Sequence, residues 1–279
     1  MKIDSHQHFW VFNEKEYGWM DNTMQSIRIN QLPPHLNKEL QKIGFDGSIA
    51  VQARQSIEET EWLLWLSDQF DYIKGVVGWV DLQSPKVDEQ LDKYSKHAKL
   101  VGVRHVIHDE PNDDFMLGKN FLNGIRLLEK YKLAYDILIF PKHLPNTLKF
   151  VEQFPNQTFI LDHIAKPLIK DKIISPWKED MEQLAKFPNV YCKVSGMVTE
   201  ANWNEWTKND FKPYLDVVFD AFGADRVMIG SDWPVCKVAA EYKQVMDIVL
   251  EYIQPFSIQD KNKIIGENAI KAYHLKLQK

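Results

Sequence analysis

The sequence predicts an α/β protein of one domain, a (β/α)8 TIM barrel. Three observations carry that prediction. Eight short apolar runs, rich in β-branched residues, each precede a stretch of helical periodicity. Runs of that kind between helices signal a parallel sheet covered on both faces. The 279 residues match the size of such a barrel. No Gly-rich phosphate loop follows the first run, which argues against a doubly wound open sheet.

The first run, residues 3–8, ends in His6-Gln7-His8. Alternation puts both histidines on one face, about 6.6 Å apart along a strand that rises about 3.3 Å per residue. An aperiodic aromatic stretch follows (Phe9, Trp10, Phe12, Tyr17, Trp19) and is expected to loop over one end of the fold. Pro33-Pro34 opens a helix through Ile43, and Gly44 stops it. Residues 48–52 form the second strand. Ser56-Ile-Glu-Glu59 is a capping box before a helix with Trp62, Leu63, Leu66 and Phe70 on one side. Residues 73–80 and 101–107 are the next strands, with helices carrying Val87, Leu91 and Tyr94 after the first and spanning 120–130 after the second. The fifth strand, 134–139, leads to a helix opened by Pro141. Strands at 158–163, 189–195 and 226–232 alternate with helices at 176–187 and 211–222. Helices at 239–253 and 257–273 close the chain, the last with a capping box at Ser257 and Asp260.

Composition narrows the function. Hydrophobic content of 44% supplies a large core, and a net charge of −5 with no basic block argues against a nucleic-acid partner. No run reaches the length of a membrane helix, so no membrane partner is expected. The first strand starts at residue 3 without a leader pattern, and Cys192 and Cys236 make no disulfide framework. A cytoplasmic location is the resulting expectation.

In a barrel the C-terminal strand ends share one mouth, where active sites sit. Here those ends carry His6 and His8, Arg54, Trp79 and Asp81, Arg104 and His108, Asp136, Asp162 and His163, Lys193 and Ser195, and Asp232. Charges buried without partners cost several kcal/mol each, so such a collection argues for chemistry rather than packing. His105 alternates with Arg104 and is expected to face the helices. Ser195 lacks the Gly-x-Ser-x-Gly setting of a nucleophile.

Asp4-Ser-His6-Gln-His8, Leu161-Asp162-His163-Ile-Ala-Lys166-Pro167 and Gly230-Ser-Asp232-Trp-Pro234 together resemble the amidohydrolase superfamily. Gly75-Val-Val-Gly-Trp79-Val-Asp81, Gly102-Val-Arg104-His105 and Glu267-Asn-Ala269 extend the resemblance over the whole chain. The likeness is strongest to the amidohydrolase 2 group and its sugar-lactone branch, lactonases of the L-fucono and L-rhamnono type. It implies a hydrolase of carbohydrate catabolism that opens a sugar-acid lactone, a small-molecule substrate. Asp232 would activate water, and His6, His8 and His163 would polarise the lactone carbonyl. Arg54 and Arg104 are candidates to bind ring hydroxyls or a carboxylate, and Trp79 and Trp10 to stack on the sugar.

Two departures matter. The fourth strand carries no Lys or Glu and the fifth no His, so a two-metal site is not expected. The expectation is that no metal is required, with one divalent ion such as zinc on His6, His8 and Asp232 as the alternative. A metal-dependent, non-oxidative decarboxylase of an aromatic or unsaturated acid is the alternative function. Asp232 as an ion-pair partner, His163 as a core histidine and Arg54 as a solvated charge stay open.

Overall fold

The computed structural model describes residues 1–276. Eight strands form one parallel sheet in sequential order: β1 Ile3–Gln7, β2 Gly47–Val51, β3 Ile73–Gly78, β4 Leu100–Val106, β5 Ala134–Leu138, β6 Phe159–Leu161, β7 Val190–Val194 and β8 Val227–Ile229. Past the end of β8 the chain bridges back to β1. Asp232 N–H donates to the His6 carbonyl (2.9 Å), and His8 N–H to the Trp233 carbonyl (2.7 Å). Gly230 is needed at this seam, because a Cβ there would lie 2.8 Å from the His6 Cβ. The (β/α)8 expectation holds.

Helices α1 Pro33–Ile43, α2 Ile57–Gln69, α3 Val87–Tyr94, α4 Lys119–Tyr131, α5 Leu144–Glu152, α6 Trp177–Leu184, α7 Lys208–Phe222 and α8 Tyr242–Tyr252 follow the successive strands. No helix among the described residues is long and apolar enough to cross a membrane. Gly44 ends α1 in the left-handed conformation the sequence implied (φ 70°). The capping box before α2 is half formed. Ser56 Oγ accepts the Glu59 N–H (3.1 Å), but the Glu59 carboxylate turns back to the Ala53 and Arg54 amides instead. Helix α7 begins earlier than the periodicity suggests, because Thr207 and Asp210 make their own capping box. Helix α8 begins later, behind a 3-10 turn at Val235–Val238.

The expected closing helix is interrupted. Segments α9 Ile258–Asn262 and α10 Asn268–Ala272 flank a π turn at Lys263–Glu267. A Cβ on Gly266 would lie 2.0 Å from the Met1 carbonyl oxygen, so the widened turn admits the N-terminal backbone. Ala269, Ala272 and Tyr273 then plug the bottom of the barrel, against Ile3, Ile49, Val77, Val101, Ile160 and Met228. Alternation on β5 and β7 places Tyr135 and Cys192 against the helices, and Asp136 and Lys193 inside the barrel.

Candidate active site

The mouth is lined by groups delivered just past the strand ends. His6 and His8 leave β1 with their Nε2 atoms 3.2 Å apart. His8 Nε2 lies 3.4 Å from Asp232 Oδ1, and the Nε2 atoms of His6 and His163 each lie 3.9 Å from the same oxygen. One carboxylate oxygen thus faces three imidazoles.

Two departures from strand geometry make this convergence. Asp232 has φ +56°, a region Asp enters more readily than most residues. After β6 the chain takes a left-handed turn, with positive φ at His163, Ile164, Ala165 and Lys166 in succession. Each such residue costs roughly 1–2 kcal/mol, and the β-branched Ile164 is a true outlier. The sequence reading carried β6 through His163, which would have sent Asp162 and His163 to opposite faces. The left-handed turn instead buries both side chains beside His6. Gly196 accommodates the His163 ring, since a Cβ there would lie 2.5 Å from His163 Nδ1.

The hydrogen bonds of His8 fix which of its ring atoms carries the proton. His8 Nδ1 lies 2.8 Å from the Val51 carbonyl, which only accepts, so Nδ1 is protonated and a neutral His8 presents a lone pair at Nε2. His6 lies between two cations that only donate, Arg104 Nη1 at 3.4 Å from Nε2 and Lys193 Nζ at 3.2 Å from Nδ1, and its Nδ1 also faces Asp162 Oδ1 at 3.3 Å, so these contacts single out no one tautomer. His163 Nδ1 meets the Ser195 hydroxyl at 2.9 Å. Burial holds the His6 and His163 imidazoles well below the ordinary histidine range.

Behind this layer lies a buried ion cluster. Lys193 Nζ is 2.5 Å from Asp136 Oδ2 and 3.0 Å from Asp162 Oδ1, with all three side chains fully buried. Asp162 also pairs with Arg104 (3.0 Å) and faces His6 Nδ1 (3.3 Å). Burial opposes ionisation of Asp162, but Lys193, the facing His6 and Arg104 outweigh it and hold that carboxyl well below its usual range. Burial pushes Asp136 up to about 6 against the pull of Lys193. Asp136 and Lys193, read from the sequence as strand-end chemistry, are therefore accounted for by each other.

The Nε2 atoms of His6 and His8, 3.2 Å apart, need a proton or a cation between them. Ligand nitrogens about 2.0 Å from a tetrahedral zinc sit roughly 3.3 Å apart. His6, His8 and Asp232 thus form a set that could hold one divalent ion, as do His6, Asp162 and His163. The His8 donation to Val51 and the facing of His6 to Asp162 supply the outer-shell partners that ligating histidines use.

The cavity over this cluster measures about 280 Å³, which suits a ligand of monosaccharide size. Its lining includes His8, His163, Asp232 and Arg104. It also includes His108, which the sequence places at the mouth, and Lys166, Glu200, Trp203 and Trp19, to which the sequence assigns no individual role. Lys166 was within reach, because it sits in the Asp162-His163 motif. Glu200 and Trp203 lie in an aperiodic loop that carries no comparable signal.

Three expected substrate contacts are placed elsewhere. Trp10 is fully buried and donates through its indole N–H to the Ile27 and Ile29 carbonyls, which locks it behind His8. Trp79 turns its indole N–H toward His105 (3.4 Å), on the helix side of the barrel. His105 packs there against Phe115 and bonds Glu110, as its alternation with Arg104 implied. Arg54 pairs with Glu16 (2.8 Å) and lies over the Tyr17 ring. Each of the three is held by a neighbour that the linear sequence does not place beside it.

Glu59, which anchors the Arg54 turn, is 1% exposed, and burial pushes its carboxyl up to about 7. A carboxyl raised above its unfolded value of 4.5 contributes stability fully below that pH and loses it as pH rises through about 7. Both backbone amides bond one oxygen, Oε2, which a glutamine amide oxygen can replace. Wild type should therefore lose stability relative to Glu59→Gln between pH 5 and 8 in urea denaturation. A gap independent of pH would refute the raised value.

The amidohydrolase family model matches residues 3–275. An L-fucono-1,5-lactonase of Burkholderia multivorans is 34% identical over 286 aligned positions, covering 99% of this chain and 96% of its own. A second L-fucono-1,5-lactonase, of Burkholderia ambifaria, is 34% identical over 86% of this chain and 83% of its own. A crystal structure of a Burkholderia multivorans amidohydrolase with bound zinc superposes with a TM-score of 0.96 at 34% identity, covering 99% of this chain and 100% of that one.

Proposed function

This chain belongs to the amidohydrolase family, and on that premise we propose that it hydrolyses a sugar-acid 1,5-lactone of the L-fucono type to the open acid. The observation that carries the reading is the single carboxylate oxygen of Asp232 within 3.9 Å of three imidazole nitrogens, under a cavity of monosaccharide size. Lactone opening needs a base for water and a polariser for the carbonyl. Asp232 takes the proton from the attacking water and returns it to the ring oxygen as the tetrahedral adduct collapses and the ring C–O bond breaks. His163 receives the Ser195 hydroxyl at Nδ1, which leaves its Nε2–H to donate to the carbonyl oxygen as negative charge builds there. His8, whose Nδ1–H bonds the Val51 carbonyl, turns its Nε2 to the mouth beside that of His6. His6, His8 and Asp232 would hold one divalent ion. Such an ion, when bound, supplies Lewis-acid polarisation and lowers the pKa of water. The zinc in the related Burkholderia structure and the 3.2 Å approach of the His6 and His8 Nε2 atoms favour an ion over the metal-free site expected from the sequence. Arg104 is held by Asp162 and by the Gln52 side chain (2.8 Å), so it orients the cluster.

The decarboxylase alternative has less support, since both relatives at 34% identity are lactonases. A pH-indicator assay over L- and D-sugar lactones, with and without chelator, tests the reading. Turnover of L-fucono-1,5-lactone is expected, falling at least about tenfold on chelation and returning with added zinc. Absence of turnover on every lactone would refute the function, and full activity in chelator would refute the ion.

A further inference from the structure

We propose that Lys166 and Glu200 act as a charge filter, restricting the cavity to uncharged sugar lactones and excluding lactones that carry a carboxylate. The inference rests on the lactonase reading and names the substrate class within it. Among the described residues, the cavity lining contains two side chains of fixed positive charge, Arg104 and Lys166. Neither is free. Arg104 is committed to Asp162 at 3.0 Å and to the Gln52 side-chain oxygen at 2.8 and 3.1 Å. Lys166 Nζ is committed to Glu200 Oε1 at 2.8 Å, with both side chains about four-fifths buried. The lining also carries Asp109, and Asp232 belongs to the candidate ion set.

The pair is held in place by the backbone on both sides. Lys166 ends the left-handed turn that also presents His163, and its own φ is +50°. Glu200 ends the 3-10 turn Met197–Glu200, which starts at the Gly196 that makes room for His163. Lys170 N–H donates to the Glu200 carbonyl (2.9 Å), tying the two segments together. A fixed ammonium beside a fixed carboxylate offers one donor and one acceptor to the hydroxyls of a neutral ring. A ring carboxylate in the same place would meet Glu200, with the neighbouring Lys166 and Arg104 already paired. Like charges brought together in this way discriminate strongly between partners.

The test compares L-fucono-1,5-lactone with the corresponding aldaric-acid lactone, in which a carboxylate replaces the exocyclic methyl. Wild type should favour the neutral lactone in kcat/KM by on the order of 100-fold. Glu200→Gln, which frees Lys166, should shrink that ratio by about tenfold or more, chiefly through KM for the acidic lactone. Lys166→Gln, which leaves Glu200 unpaired, should widen the ratio. Two variants shifting one ratio in opposite directions cannot both reflect misfolding. Equal turnover of the two lactones by wild type, or a ratio unmoved by both variants, would overturn the filter and leave the lactonase reading standing. Failure of wild type on both lactones would instead overturn the lactonase reading.

Discussion

Asp232→Asn should lower kcat for lactone opening by roughly 10²–10⁴-fold, the range that a positioned general base contributes. The substitution preserves shape, and asparagine tolerates the positive φ of this position as aspartate does. The amide can still accept a hydrogen bond but cannot take a proton from water. The fold should persist, because the seam at this position is made by backbone groups, Asp232 N–H to the His6 carbonyl and Cys236 N–H to the Asp232 carbonyl. Asp232 also belongs to the candidate ion set, so the measurement is made at saturating zinc with metal content determined on the same sample. Lost turnover in zinc-loaded protein with an unchanged melting transition is the expected result. Retained turnover would remove Asp232 from the base role.

Lys193→Met should destabilise the fold by about 3–5 kcal/mol, the cost of stripping one partner from a buried ion pair. The substitution leaves Asp136 and Asp162 facing each other in the barrel interior with their shared cation gone. Asp162 keeps Arg104, whereas Asp136 keeps only the Tyr273 hydroxyl (2.7 Å). Asp136 therefore bears most of the loss, and Lys193→Met with Asp136→Asn should recover part of the stability. Urea denaturation of the four proteins in the cycle reads this coupling directly. A loss below about 1 kcal/mol, or strictly additive effects, would show that the cluster does not act as a unit.

The strands and helices were legible because their signals are local. Apolar runs of strand length, Gly44 after a helical stripe and Pro33-Pro34 before one each act within a few residues. The elements read less well were set by distant contacts. Gly266 widens the closing helix because the N-terminal backbone passes against it, and nothing near residue 266 announces Met1. Trp10 and Trp79 looked available to a sugar because a strand-end tryptophan often is. Partners 17 to 26 positions away, Ile27, Ile29 and His105, take up their indole N–H groups instead.

By itself the sequence determined the barrel and which strand ends hold His6, His8, His163 and Asp232. Strand order follows from chain order in this fold, and the period-two alternation assigns each strand residue a face. The tertiary structure decided what those residues can do. The proton position on His8 comes from the Val51 carbonyl, and His6 is held between Arg104 and Lys193, all on other strands. The aim of His163 and Asp232 comes from positive φ just past the ends of β6 and β8. There the ladder no longer dictates the backbone, and packing against Gly196 and β1 sets the direction of the side chain.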